Sequence, residues 1–571
     1  MTSTYPAAAT PDPSSYHHPT PWDTAFEPMT LPDMLERSVR REPAAPFLHF
    51  MGRTYSYRAI FMSAQRFAAG LRARGITKGE RVGLFLPNVP IYASAYYGAR
   101  MAGAVVVNFS PLYSVEELAW QVEDSGTRML VTLDVPELYD NAAKVLATSG
   151  LEALVVGSLS HMLPTLKGAA YRLLKRKDIA DVAYDDTTLR WADLLGEWNW
   201  DEWASGESAS PARVNEEDDL ALLQYTGGTT GRPKGAMLGH RQLSINAQQV
   251  AAISPFHNPR DEVFVGALPF FHVFANTALL NHCVAAGSSI AMVPRFDAGQ
   301  VLDLIEKHRA TGFPGVPTMF QALLDHPKFK KTDFSSLKVC ISGGAPMPAP
   351  VHERFEAETG VRLVEGYGLT ESSGVVSVNP YEAQRKRGSI GQLVAGTAVV
   401  LLDKEDPLNL APDGEPGELA ISGPQIMRGY WNRPDAAADV FVERDGRTYL
   451  RTGDVAQIDA DGFLKIVDRI KDMISVGGFK VFPSTVEDVM LGHEAVKEVL
   501  VIGVPDEYRG EVPRAFVVVK ADVDIGADAL RGWLNDRTGK HERVDKVVIR
   551  EDLPRTIIGK LDRKALRAQV L

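Results

Sequence analysis

Between Tyr225 and Gly235 the sequence reads YTGGTTGRPKG, with four glycines, three threonines and a lysine in eleven residues. Glycines let a backbone wrap closely around an anion, hydroxyls add donors and a lysine adds positive charge. Thr226, Gly227, Thr229, Thr230 and Lys234 are therefore candidate phosphate-binding residues. The common nucleotide loop needs Gly-Lys-Ser/Thr, whereas Lys234 follows Pro233 and precedes Gly235. A plain strand-end turn is the competing reading of any Gly-rich run, and the density of donors argues against it.

Four shorter stretches carry chemistry of the same kind. In SGGAP, Gly344 and Ala345 follow a strand and precede a helix, so a planar ring can approach the backbone. EGYGLTE offers Tyr367 to stack on a base, Thr370 for a phosphate oxygen and Glu371 for a hard divalent cation, a combination that suits Mg-nucleotide. A strand-end turn with a surface Glu is the alternative. YLRTGD places Asp454 to accept from two sugar hydroxyls, although turn-capping aspartates are common. Lys560, after a glycine in PRTIIGKLDR, reads by itself as a solvated lysine.

Elements must position these residues. With 571 residues, 45% of them hydrophobic, the chain can bury a large core in several units. From Thr30 to Gly157, strand-like runs (RVGLFLP, GAVVVNFS, MLVTLD, LEALVVGS) alternate with helix-like ones, the pattern of a parallel sheet covered by helices. The alternation resumes after the Thr/Gly loop, predicting a second α/β subdomain. From Val375 to Asp468, short strands broken by Asp-Gly and Gly-Pro turns predict a small β-barrel-like unit. A compact α+β module follows. The expected division is a Pro-rich extension over 1–29, mobile or draped on the surface and forming no packed element, a large unit over 30–468 and the final module over 469–571.

A net charge of −11 without a long basic stripe argues against nucleic acid as a partner. Cys283 and Cys340 sit in apolar stretches outside any metal-ligand spacing and read as core thiols in a reducing compartment, which makes the cytoplasm the default location. No apolar run reaches the length of a spanning helix. One segment stands apart. Residues 163–177 hold five Lys/Arg and no acid, with Leu166, Ala170, Leu173 and Leu174 on one helical face. The preferred reading is a surface helix packed on the large unit, and the alternative is peripheral contact with an anionic membrane at its inner face. Oligomeric state, a homodimer included, stays open.

The ordered set YTGGTTGRPKG, LPFFHVF, SGGAPMP, EGYGLTE, YLRTGD, DRIKDMISVGGFKVFP and PRTIIGK resembles the adenylate-forming superfamily. The intervening wording is most similar to bacterial medium- and long-chain fatty-acid–CoA ligases. The resemblance spans Thr30 to the end of the chain. It implies ATP and CoA as substrates with Mg²⁺, a carboxylic acid activated as acyl-adenylate, and acyl transfer to CoA after the C-terminal module has rotated. By that resemblance Lys560 bridges the α-phosphate and the attacking carboxylate, and Thr226, Gly227, Thr229, Thr230 and Lys234 handle the β- and γ-phosphates. Glu371, with Thr226, serves the metal; Gly344, Ala345 and Tyr367 border adenine; Thr370 touches the α-phosphate. Asp454 and Arg469 hold the ribose, Lys471 is the pivot, and Gly477 and Gly478 face the incoming thiol. His272 matches a histidine at the mouth of the acyl pocket, against an equal reading as a packed core residue.

Apolar residues from Phe270 to Leu280 and from Gly312 to Phe320 predict a plain alkyl acid. Asn276, His282 and Arg295 keep an ω-carboxylate, and so a dicarboxylate or other carboxylic acid–CoA ligase, open. Peptide-synthetase adenylation and luciferase-like chemistry share the first half-reaction. A catalytically idle adenylate or acyl sensor is the reading from another class, and the intact trio Lys560, Glu371 and Asp454 argues against it.

Overall fold

A computed structural model of the chain describes residues 8–9, 14–205, 214–226, 232–477, 479–521, 523–556 and 560–571. Two large sheets dominate, each formed where apolar β-rich runs alternate with helices. One has seven strands in the order Lys234–Gly239, Leu220–Thr226, Val105–Phe109, Arg81–Phe85, Thr127–Leu133, Ala153–Gly157, Thr188–Arg190. All pairs are parallel except the hairpin of the first two. The other has nine strands, with a parallel centre from Pro46–Phe50 through Ser289–Met292, Val263–Gly266, Gly312–Gly315 and Val339–Gly343 to Arg362–Tyr367. Both parallel centres read in sequence as near-continuous hydrophobic runs because both faces are covered.

The helix Pro90–Met101 is buried along its entire length and joins the two halves. Its tyrosines reach partners across the interface: Tyr92 Oη donates to the Phe270 carbonyl at 2.8 Å, and Tyr96 Oη to Asn276 Oδ1 at 2.5 Å. Asn276–Asn281 is a π-helical turn, a wider winding that no sequence signal announced. The stretch expected as barrel-like supplies five strands of an antiparallel six-stranded sheet around the long strand Arg447–Ile458, while its first two short strands, Ser377–Val378 and Gln392–Leu393, extend the nine-stranded sheet.

The main core runs from Leu31 to Leu464, with a small separate cluster of Val400, Leu402, Ala420 and Tyr449. Separate apolar clusters fill the C-terminal region from Ile474 onward, on the two faces of a five-stranded sheet built on Val496–Asp506 and Gly510–Val519. The described part of the N-terminal extension departs from the expectation that it forms no packed element. Ala8–Ala9 pairs with Ala398–Leu402. Tyr16 Oη donates to the Leu393 carbonyl at 2.9 Å, Trp22 Nε1 to the Thr397 carbonyl at 2.7 Å, and His18 is buried. Proline removes backbone donors but leaves aromatic side chains free to supply anchors, and these do so.

The basic helix forms as Thr165–Leu174 and packs on the large unit as expected, but not through its apolar face. Gly168 faces inward, where a Cβ would meet the Ser160 carbonyl oxygen at 2.3 Å, and Tyr171 is half-buried beside it. This close approach through a glycine turns Leu166, Leu173 and Leu174 to solvent.

Candidate active site

The hairpin Leu220–Thr226 and Lys234–Gly239 carries the Thr/Gly loop, and its register sets Lys234 directly opposite Thr226. Gly227, Thr229 and Thr230 lie outside the described residues. The turn Thr370–Ser372, which carries Glu371, packs against both hairpin strands. A residue that sequence reasoning missed completes this corner. Tyr430 donates its hydroxyl to Glu371 Oε1 at 2.8 Å, and the Lys234 ammonium lies 5.0 Å from the centre of the Tyr430 ring. Tyr430 is tied to the hairpin by a bridge to Ala236, and Met427 N–H donates to the Glu371 carbonyl at 2.7 Å.

The second corner is held by charge. Asp454 is buried on the strand Arg447–Ile458, directly opposite Arg469 on Leu464–Arg469. Arg469 Nε contacts its Oδ1 at 2.8 Å and Tyr367 Oη donates to its Oδ2 at 2.5 Å. Both carboxylate oxygens are thus fixed before any sugar arrives. Tyr367, expected only as a stacking ring, also orients Asp454. Asp454 in turn pushes the Arg469 pKa up.

The C-terminal region completes the arrangement. The Thr556 N–H donates to the Lys560 carbonyl at 2.7 Å, and the Lys560 N–H to Thr556 Oγ1 at 3.2 Å; residues 557–559 lie outside the described residues. The lysine stem then crosses Gly344. That glycine has φ +82°, and a Cβ there would stand 2.8 Å from Lys560 Cε and 3.1 Å from Nζ. Gly344 therefore serves two needs, a left-handed turn and room for an aliphatic chain. Burial, then the Arg469 charge, lowers the Lys560 pKa to about 8. His272 caps the short helix Val273–Ala275 by accepting from the Phe274 N–H at 3.3 Å. Burial, and after it the Lys560 charge, lowers its pKa to about 3, so its imidazole is neutral.

Lys560 thus stands among Gly344, Arg469, Asp454 and His272, with Ala345 half-buried beside Gly344. Lys471 lies exposed on the single turn Ile470–Asp472 between the two regions. Gly477, with φ +56°, is exposed, and Gly478 is outside the described residues. Arg563, which sequence reasoning passed over, clamps this junction from the last helix by donating to Asp472 Oδ2 at 3.1 Å and Glu487 Oε1 at 2.6 Å.

Among the described residues no cluster of three or more His, Cys, Asp or Glu could hold a metal. A single acid, Glu371, fits Mg²⁺ nonetheless, because that ion is habitually held by one or two carboxylates together with substrate phosphates and water. The residues suggested for an ω-carboxylate differ in exposure. Asn276 and His282 are buried and Arg295 is exposed. His282, with its pKa lowered by burial to about 4, is neutral.

The family of AMP-binding enzymes matches residues 35–431, and the C-terminal domain of AMP-binding enzymes matches residues 485–560. The chain belongs to the AMP-binding enzyme family. It is 36% identical over 553 residues to a long-chain-fatty-acid–CoA ligase of Bacillus subtilis, covering 97% of both chains. It is 38% identical over 550 residues to one of Escherichia coli, covering 94% of both. The crystal structure of ATP-bound MatB from Rhodopseudomonas palustris superposes with a TM-score of 0.80 at 28% identity, over 95% of this chain and 99% of that one. In this AMP-binding enzyme Lys560, Asp454 and Glu371 come from three separate elements, each placed by the fold rather than by proximity in sequence.

Proposed function

We propose that the protein is an ATP-dependent fatty-acid–CoA ligase for medium- and long-chain acids, working in the cytoplasm, where its two unpaired buried thiols suit a reducing environment. The observation that carries the reading is Lys560 laid over Gly344 and beside the Arg469–Asp454 pair. A carboxylate attacking a nucleoside triphosphate meets like charge, so the site must neutralise what accumulates. The acid's oxygen bonds to the α-phosphorus, the bond from that phosphorus to the bridging oxygen breaks, and pyrophosphate leaves. The CoA sulfur then attacks the acyl carbonyl, its proton departs and AMP is released.

In the first step Lys560 donates to the α-phosphate and the attacking carboxylate, Lys234 and the threonines receive the β- and γ-phosphates, and Thr370 reaches the α-phosphate. Tyr367, Gly344 and Ala345 border the base, and Asp454 and Arg469 orient the ribose. Mg²⁺ bound beside Glu371 and Thr226 supplies charge neutralisation on the phosphates. His272, neutral, donates or accepts a hydrogen bond near the acyl carboxylate without carrying charge. For the second step the module over 469–571 turns about Lys471, withdrawing Lys560 and presenting the Gly477–Gly478 loop to the thiol.

Fatty-acid names among full-length relatives support an alkyl substrate. Commitment of Asn276 to Tyr96 and neutrality of His282 argue against an ω-carboxylate. The test is pyrophosphate release from ATP with mono- and dicarboxylic acids from butyrate to stearate chain lengths, with and without CoA. AMP and acyl-CoA, greatest with the longer monocarboxylates, are expected. ADP with orthophosphate, or a preference for dicarboxylates, would overturn the reading.

A further inference from the structure

The helix Thr165–Leu174 presents its leucines to solvent, with Leu166 86%, Leu173 80% and Leu174 77% exposed. Spacings of seven and eight residues put all three on one side, opposite the inward Gly168. A second element adds to the same surface. Met51, 45% exposed at the tip of the hairpin Pro46–Phe50 and Arg53–Ser56, has its carbonyl bonded by Lys167 Nζ at 3.3 Å. Arg53 in the same tip donates to the His161 carbonyl at 3.0 Å.

Charge decides what covers this patch. Residues 161–177 contain Lys167, Arg172, Lys175, Arg176 and Lys177 and no acid, in a chain whose net charge is −11. The next acid, Asp178, lies 3.6 Å from Lys175 and leaves the others in excess. Exposed leucines bordered by lysines and arginines match a bilayer surface, where apolar side chains enter the acyl boundary and cations meet anionic headgroups. Charges farther away than a Debye length of about 8 Å are screened at physiological salt, so the local sign governs, not the net one.

We propose that the helix Thr165–Leu174, together with the tip at Met51, is a docking surface for an anionic lipid bilayer. A shallow, reversible contact is expected, because one short helix has too little apolar area for stable insertion. Among the described residues no helix is long and apolar enough to cross a membrane. The use assigned to the contact, holding the enzyme where long-chain acids accumulate, rests on the fatty-acid reading. The contact itself does not.

The full-length protein is sedimented with vesicles of phosphatidylcholine alone and of phosphatidylcholine mixed with phosphatidylglycerol, without acid, ATP or CoA. Binding to the mixed vesicles that weakens with salt is expected. Leu173→Asp with Leu174→Asp should abolish it, and Arg172→Gln, Arg176→Gln and Lys177→Gln should weaken it by about fivefold per charge. Because these side chains are exposed, thermal melting and turnover of a short soluble acid should match the unaltered protein. Unchanged vesicle binding in the leucine variant would overturn the proposal. So would the absence of binding in the native protein, or a native dimer that the leucine variant converts to monomer with no effect on vesicles, which would assign the patch to a second copy of the chain.

Discussion

In the proposed adenylation the ammonium of Lys560 can neutralise a phosphate only while it holds its proton, and burial has already lowered its pKa to about 8. In the free enzyme the protonated form dominates below that pH and is lost above it. The kcat/KM of ATP–pyrophosphate exchange should therefore fall about tenfold per pH unit above roughly pH 8. Lys560→Arg should carry this limb out of range, since a guanidinium keeps its proton. Lys560→Ala should lower adenylation by about 10²–10³-fold and spare acyl transfer from supplied acyl-adenylate. A limb that persists in the arginine variant would assign the titration elsewhere. His272, with a pKa of about 3, should add no acid limb near neutrality. The ordered motifs made Lys560, Asp454 and Glu371 legible as residues. Tyr430 was not, because its bond to Glu371 spans 59 residues and GPQIMRGYW has no local spacing that marks a ligand-orienting tyrosine.

Between the strand Leu464–Arg469 and the helix Pro483–Leu491, one buried acid spans the proposed pivot. Asp468 Oδ2 accepts from the Ser484 N–H at 2.8 Å, and its Oδ1 from the Arg469 N–H at 2.7 Å. Asp468 precedes Lys471 and Ser484 follows it, so rotation about Lys471 must release this helix cap, whereas Arg563 holds Asp472 to the moving side. A proline at 471 fixes φ near −65° and narrows the turn's freedom. Lys471→Pro should leave pyrophosphate release near the native rate and slow thioester formation by at least about tenfold, measured as separate half-reactions. Normal acyl transfer in that variant would count against a pivot there. Element types were readable wherever both faces are covered: RVGLFLP and LKVCISGG announced their strands. The orientation of Thr165–Leu174 was not. Amphipathic spacing defines two faces but leaves open which one the protein covers, and a glycine at 168 reversed the usual choice.

Across the whole molecule, buried imidazoles set an acid limit. His18, on the N-terminal extension, and His282, in the core, both have pKa values lowered to about 4, first by burial. Unfolded, each returns to about 6.5, so between those values the unfolded chain binds more protons and stability rises with pH. The contribution is complete above about 6.5 and lost as pH falls to about 4, up to roughly 3 kcal/mol for each imidazole. Melting temperature should accordingly drop between pH 6.5 and 4, and a His18→Gln, His282→Gln variant that folds should show a shallower drop. Composition could not foretell that a Pro-rich start would add a strand to one sheet and a buried imidazole against a strand of another, each more than three hundred residues away.

Cys283 and Cys340 are both buried, and burial raises both thiols far above neutrality. Neither presents a thiolate to an aromatic disulfide reagent. The native protein should thus contribute almost no background when free CoA is counted colorimetrically by its sulfhydryl, and a sudden rise in reactive sulfur would report loss of the fold before any change in turnover is examined.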